Sequence, residues 1–251
     1  MFLPKPQIVE VEVTHPNLEG LQILHLSDLH IDKNIQETSL ENLIRISTKL
    51  SYDFAVITGD IIDCKIKHIR LKLQILNQLA LIKPVYFISG NHDVVYGLEE
   101  LKKELSNFIF LDNEYRLIDF KNHKICLVGL ADRFSKFFRV KRDENKVKNI
   151  LNEYDATIFI SHQPKDYKIA VDTKTPLFLC GHTHGGQIFP FHYLVQLVQP
   201  FLAGLFYKNE TSIYVNKGLG TWGINYRYKA DSEITILKLI SKSVKYTKGI
   251  L

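Results

Sequence analysis

Cysteine is scarce and unpatterned in this chain of 251 residues: Cys64, Cys126 and Cys180 are an odd number with no C-x-x-C spacing. A disulfide framework and a thiolate zinc site are thereby excluded, and a reducing compartment, the cytoplasm, is expected. Cys126 in KICLVGL and Cys180 in LFLCG sit inside apolar runs, where a thiol packs as a small hydrophobe. Charge of one sign is lacking too. The 32 basic and 27 acidic residues leave a net +5, short of the dense basic stripe of a duplex-binding surface but compatible with an anionic substrate or membrane surface. No repeat, low-complexity tract or linker divides the chain, so residues 1–251 are expected to form one domain, large enough to bury a core without staples. Nor is there a clean membrane-length run. The uncharged segment 189–207, FPFHYLVQLVQPFLAGLFY, has the length, but Pro190, Pro200, His192, Gln196 and Gln199 argue against spanning. The first residues, MFLPKPQIVEVEVTHP, contain no signal-peptide apolar region or cleavage site; the alternation over 8–13 predicts a half-buried strand.

Strands and helices alternate through the first half. Helices are expected near 38–50, capped by Thr38 or Ser39, near 65–81, where Ile66, Ile69, Leu73, Leu76 and Leu79 repeat at helical spacing, and near 97–106. The second half is richer in strands, at 115–120, 124–130, 157–161, 177–180, 212–216 and 234–240, with a helix at 143–153. Two facing sheets with helices outside accommodate that order.

Five apolar β-like segments run straight into potential metal ligands: LQILHLSDLH (21–30), FAVITGD (54–60), VYFISGNHD (85–93), TIFISH (157–162) and LFLCGHTH (177–184). In open α/β sheets ligands gather beyond the carboxyl ends of the strands, so such residues can focus on one point. In an extended segment i and i+2 project to one side, which pairs Asp28 with His30 and His182 with His184. Gly59 and Gly90 permit a sharp turn before Asp60 and Asn91, and His162 ends its strand. The seven candidates, Asp28, His30, Asp60, Asn91, His162, His182 and His184, are too many for one zinc and suit two ions sharing a carboxylate. Nitrogen and oxygen donors without thiolate favour Mn, Fe or Zn. Two such ions about 4 Å apart suit in-line displacement at phosphorus. Hydrolysis of a phosphoester is the chemistry indicated. His15, His25, His68, His123 and His192 lack such company and are expected to be satisfied core or surface residues.

DLH (28–30), GD (59–60), GNHD (90–93), His162 and GHTH (181–184) resemble the signature of the calcineurin-like metallophosphoesterases, over about residues 20–240. The resemblance implies an α/β four-layer sandwich, two mixed sheets flanked by helices. It implies a ligand split as well: Asp28, His30 and His184 on one ion, Asn91, His162 and His182 on the other, Asp60 bridging. His92 would protonate the leaving oxygen, oriented by Asp93, with Asp63 supporting the surroundings of Asp60. GHTHGGQIFP (181–190) and VNKGLGTWGINYRY (215–228) are similar to a bacterial subgroup of membrane-associated phosphoesterases that includes UDP-2,3-diacylglucosamine pyrophosphatases of lipid A biosynthesis. The chain departs from it in ADSEI (230–234), where a proline is usual, and the subgroup's N-terminal anchor is not expected here.

That likeness implies a lipid-linked pyrophosphate substrate at the inner membrane, with Arg227 as the subgroup's arginine. The uncharged segment 189–207, rich in Phe, Leu and Val with Tyr193 and Tyr207, suits an apolar lid or membrane-dipping loop, the alternative being ordinary core and dimer-surface packing. Arg133 and Arg227 are expected to bind substrate. RFSKFFRVKR (133–142) interleaves five basic residues with three Phe, a pattern for lipid headgroups or nucleobases. A soluble phosphodiesterase of nucleotides or nucleic acid is therefore the alternative. A noncatalytic metal-binding scaffold is the third reading, disfavoured because every ligand and His92 are in place.

Overall fold

A computed structural model describes Leu3 and residues 5–138 and 141–241. Its strands, in chain order, are β1 (Gln7–Thr14), β2 (Gln22–Leu26), β3 (Phe54–Ile57), β4 (Val85–Phe87), β5 (Ile109–Phe110), β6 (Tyr115–Phe120), β7 (His123–Gly129), β8 (Thr157–Ile160), β9 (Leu177–Cys180), β10 (Gly204–Lys208), β11 (Thr211–Val215) and β12 (Glu233–Ile240). They form two six-stranded mixed sheets, ordered β1-β12-β2-β3-β4-β5 and β10-β11-β9-β8-β7-β6. In the first, β2, β3 and β4 are parallel and β12 runs against β2; in the second, β7, β8 and β9 are parallel. The helices are α1 (Glu37–Ser47), α2 (Arg70–Asn77), α3 (Asn91–Tyr96), α4 (Leu98–Glu104), α5 (Glu144–Glu153), α6 (Tyr167–Asp172) and α7 (His192–Val198).

The period-2 projection of strand residues divides the apolar side chains among three cores. Phe54 and Val56 of β3 face the gap between the sheets, where they join Ile158, Ile160, Leu177 and Leu179 of the other sheet. Ala55 and Ile57 point the opposite way, into a layer shared with Leu40, Leu43, Leu73, Leu76 and Leu101 of α1, α2 and α4. Phe159, Phe178 and Cys180 do the same on the far side, against Val147, Ile150 and Leu151 of α5 and Ile169 of α6. The result is the expected helix–sheet–sheet–helix sandwich. Cys126 and Cys180 are buried in its outer layer.

Several local expectations are corrected. Helix α1 starts at Glu37 after Gln36, and the Ser39 hydroxyl, expected to cap it, accepts the Leu3 N–H instead at 3.1 Å. The helix expected at 65–81 is a 3-10 turn at Ile66–His68, then α2, then a second 3-10 turn at Gln78–Leu81. Ile66, Ile69, Leu73, Leu76 and Leu79 are all buried nonetheless, because periodicity specifies the facing of a residue and tightened turns preserve it. Segment 189–207 divides: α7 has no buried residue, whereas Gly204–Lys208 forms edge strand β10. No helix among the described residues is long and apolar enough to cross a membrane. Arg139 and Val140 of the 133–142 segment lie outside the described residues.

Candidate metal centre

The loops leaving β2, β3, β4, β8 and β9 bring all seven predicted ligands together, four from one sheet and three from the other. The extended geometry expected of SDLH and GHTH is not what aims them. Asp28, His30, Asp60, His182 and His184 lie beyond the strand ends with φ of 49°, 46°, 54°, 73° and 52°, the left-handed region that non-glycine residues rarely enter. Neighbouring backbone holds them there. Asp28 N–H donates to the Gly59 carbonyl at 3.0 Å, His30 N–H to Asp60 at 3.0 Å and Ile31 N–H to Ile61 at 2.8 Å. Strain over-determined by its surroundings in this way is characteristic of functional sites.

Two sets of donors face one another across Asp60. Nε2 of His30 lies 3.0 Å from Nε2 of His184, and Asp28 Oδ1 is 3.9 and 3.5 Å from these two nitrogens. On the other side His162 Nε2 lies 3.2 Å from Asn91 Oδ1 and 3.1 Å from His182 Nδ1. One oxygen, Asp60 Oδ2, stands 3.7 Å from His30 Nε2 and 3.2 Å from His162 Nε2. Asp28 Oδ2 accepts from the Ser27 hydroxyl and the His182 N–H, which leaves Oδ1 buried without a hydrogen-bond partner. A buried carboxylate oxygen so left calls for a cation.

The electrostatics agree with that fit. Burial pushes His30 and His184 below the ordinary imidazole range and His182 down to about 3, so all three present neutral nitrogens. Burial opposes charge on His162 as well, but the adjoining Asp60 carboxylate raises it well above its usual value, and His162 in turn holds Asp60 below the carboxylate range despite burial. His162 Nδ1–H donates to the Thr58 carbonyl at 2.7 Å, which turns Nε2 inward beside Asp60, where a bound cation would take the place of its proton. The donor set of imidazoles, carboxylates and one amide fits two divalent cations.

Around the ligands the structure reassigns three expected roles. Asp93 does not orient His92: its carboxylate accepts the backbone N–H groups of Asp60, Ile61, Ile62 and Gly90 at 2.8, 2.9, 3.1 and 2.9 Å. It sits at the third position of α3, so reaching back to Gly90 is an ordinary capping geometry, extended here to clamp the Asp60 loop. His92 takes its orientation from Asp63, whose Oδ1 lies 2.6 Å from Nδ1, and although burial opposes it, this bond and the nearby carboxylates raise the imidazole above its usual value. Gly90 serves close approach, since it is extended (φ −99°) and a Cβ there would lie 2.1 Å from Asp60 Oδ1; Gly59, at φ +93°, makes the expected turn.

Five of the seven candidate donors, His30, Asp60, Asn91, His182 and His184, floor a cavity of about 470 Å³ whose outer wall is apolar: Ile188, Phe191, Leu194, Val195 and Val198 on one side, Trp222 and Ile224 on the other. Neither predicted substrate-binding arginine lines it. Arg227 donates to the carbonyls of Lys217, Gly218, Gly220 and Ala230 and so holds the glycine-rich loop together, while Arg133 pairs with the buried Asp166 at 2.6 Å. The residue that organises the outer wall, Gln187, was legible only as part of GHTHGGQ. Its side-chain amide donates to the carbonyls of Trp222 and Ile224, both at 2.9 Å, and accepts the Trp222 N–H at 2.7 Å. Of the five isolated histidines, His15 and His25 are buried and hydrogen-bonded in the interior, His68 and His123 are exposed, and His192 stacks on Phe189.

Comparison with known proteins agrees with this geometry. The sequence profile of the calcineurin-like phosphoesterases matches residues 21–186. An uncharacterized metallophosphoesterase of Campylobacter jejuni is 37% identical over 246 residues, covering 96% of this chain and 65% of that protein. A transmembrane protein with metallophosphoesterase domain from Danio rerio is 32% identical over 252 residues, covering 93% and 57%. The chain thus spans about two-thirds or less of the length of these curated relatives. Among solved structures, Thermus thermophilus sulfate thiohydrolase SoxB superposes with a TM-score of 0.56 at 13% identity over 90% of this chain and 58% of its own, and Haemophilus influenzae NAD nucleotidase with 0.53 at 18% over 79% and 50%, likenesses of fold. The profile covers all five strand-end motifs in full, and on that ground the chain belongs to the calcineurin-like phosphoesterase family.

Proposed function

We propose that this chain is a dinuclear metal-dependent hydrolase of phosphodiester or pyrophosphate bonds, with Mn²⁺ as its preferred ion and Fe or Zn as substitutes. The observation that carries the reading is Asp60 Oδ2 standing between two sets of donors, with Asp28 Oδ1 buried and unpartnered beside it. Asp28, His30 and His184 would hold one ion, Asn91, His162 and His182 the other, and Asp60 both. Bound there, the ions would supply positive charge for the phosphoryl oxygens and a water of lowered pKa. His92 lines the same cavity with its ring 4.7 Å from that of His30. With Nδ1 fixed by Asp63, its Nε2 is the position that carries a proton to the leaving oxygen.

For the substrate we propose a UDP-linked glycolipid, UDP-2,3-diacylglucosamine, cleaved to UMP and a lipid-bearing sugar phosphate. The apolar outer half of the cavity supports this reading. The test is mass-spectrometric product analysis of Mn²⁺-loaded protein with that substrate in detergent, against His92→Ala. UMP release abolished in the variant is the expected result. A chromogenic diester cleaved without UMP release would retain the reaction and reject the substrate, and cleavage of neither would overturn both. A soluble nucleotide or nucleic-acid phosphodiesterase is the second reading, favoured by the exposed Phe134, Phe137 and Phe138 cluster, whose turn packs against α3. It requires that a Phe137→Ala/Phe138→Ala variant lose activity on oligonucleotides while keeping it on a small chromogenic ester.

A further inference from the structure

Apolar side chains crowd the mouth of the metal cavity in a way that cleavage of a phosphorus–oxygen bond does not demand. On the α7 side Phe191, Tyr193, Leu194, Leu197 and Val198 are 55–81% exposed; on the other, Trp222, Ile224 and Tyr226 are 57–63% exposed. Three things make these one surface. The cavity is lined from both sides, by α7 and by the 222–224 turn. Gln187 laces the two by its three backbone hydrogen bonds to Trp222 and Ile224, and Phe189 N–H adds a bond to the Tyr228 carbonyl. Helix α7 itself buries none of its seven residues, so the fold gives it no core to cover.

We propose that this surface docks on an anionic lipid bilayer, with Leu197 and its neighbours entering the headgroup–acyl boundary and the cavity mouth opening onto the membrane. Charge selects this occupant. Residues 173–209 and 211–230 contain no Asp or Glu, whereas Lys229 lies at the patch, its ammonium 4.7 Å from the Phe189 ring. Leu, Val and Ile at the tips with Trp and Tyr beside them is the composition of a membrane interface, and a basic residue adds attraction to acidic headgroups. A protein seated on the same face would stopper the cavity, while a bilayer leaves it able to draw an amphiphilic substrate from the lipid side. The inference deepens the proposed function but does not depend on which phosphorus bond is cleaved.

Co-sedimentation of the full chain with large unilamellar vesicles tests it, comparing phosphatidylglycerol–phosphatidylcholine mixtures with phosphatidylcholine alone. The comparison variant is Leu197→Glu/Tyr226→Glu, at two positions that do not line the cavity. Wild type should partition onto the anionic vesicles at least tenfold more than the variant, less onto neutral ones, and less again as salt is raised. Hydrolysis of a soluble chromogenic diester should be equal in the two proteins, which shows that the variant is folded and separates a failure of docking from a failure of the phosphoesterase reading. Equal partitioning of both proteins, or none by wild type, overturns the proposal. So does a wild-type dimer in light scattering that the variant abolishes, because a second copy would then cover the face.

Discussion

The floor and the outer wall of the cavity are built on opposite principles. On the floor the functional side chains are held by specific contacts: five ligands sit in left-handed backbone, Asp93 takes four N–H groups, and Thr58, Ser27 and Asp63 each fix one functional side chain. The outer wall, α7 and the 222–224 turn, carries large apolar side chains facing solvent, and the amide of Gln187 ties its two halves together. The difference separates two tasks. Bond cleavage needs donors fixed to a fraction of an ångström by supporting contacts, whereas choosing a substrate or surface needs apolar area that can be changed without disturbing them.

Substitutions that respect or violate this division should differ in kind. Asp60→Asn strikes both donor sets at once: phosphodiester hydrolysis should fall to background and bound metal, measured by elemental mass spectrometry, should drop well below two ions per chain. His92→Ala should lower kcat by ~10²–10⁴-fold while leaving metal content intact, the magnitude of a lost general acid. If metal is lost as well, His92 belongs with the ligands and the floor must be redrawn. Asp63→Asn should cost less than His92→Ala and displace the pH profile. The Asp63 carboxylate raises His92, so its removal lets the imidazole lose its proton at lower pH, and the limb along which activity falls with rising pH should move to lower pH. Trp222→Ala should raise KM for an acyl-bearing substrate by roughly 10-fold, the scale of a few lost apolar contacts, with kcat for a small chromogenic diester unchanged. An equal loss on both substrates would mean that floor and wall are coupled, and the comparison would break.

The floor was the more legible of the two in the sequence. Five apolar segments each running into Asp, Asn or His identify the strand ends, and parallel pairing then leaves the ligands one place to meet. Local conformation was less legible: the i, i+2 spacing of Asp28 and His30 suggested extended backbone, but φ is set by tertiary hydrogen bonds such as Asp28 N–H to Gly59. Adjacency misled in the same way for Asp93, next to His92 in the chain yet turned by the helix toward the Asp60 loop, while Asp63, 29 residues upstream, reaches the imidazole. The outer wall was read as an apolar segment without its partner. Nothing in the spacing of Gln187 and Trp222, 35 residues apart, announces that two hydrogen bonds join them and a third ties Gln187 to Ile224.

Asp28, His30, Asp60 and Asn91 hang from one sheet and His162, His182 and His184 from the other, so the donors straddle the seam of the sandwich. A cation held by both groups is a rivet through two plates. Slip of one sheet past the other by a single residue, about 3.3 Å, would shear every cross-seam coordination together, so the loaded protein should yield to pulling abruptly and at higher force than the stripped one. The centre that carries the proposed chemistry is thereby also a fastener of the fold.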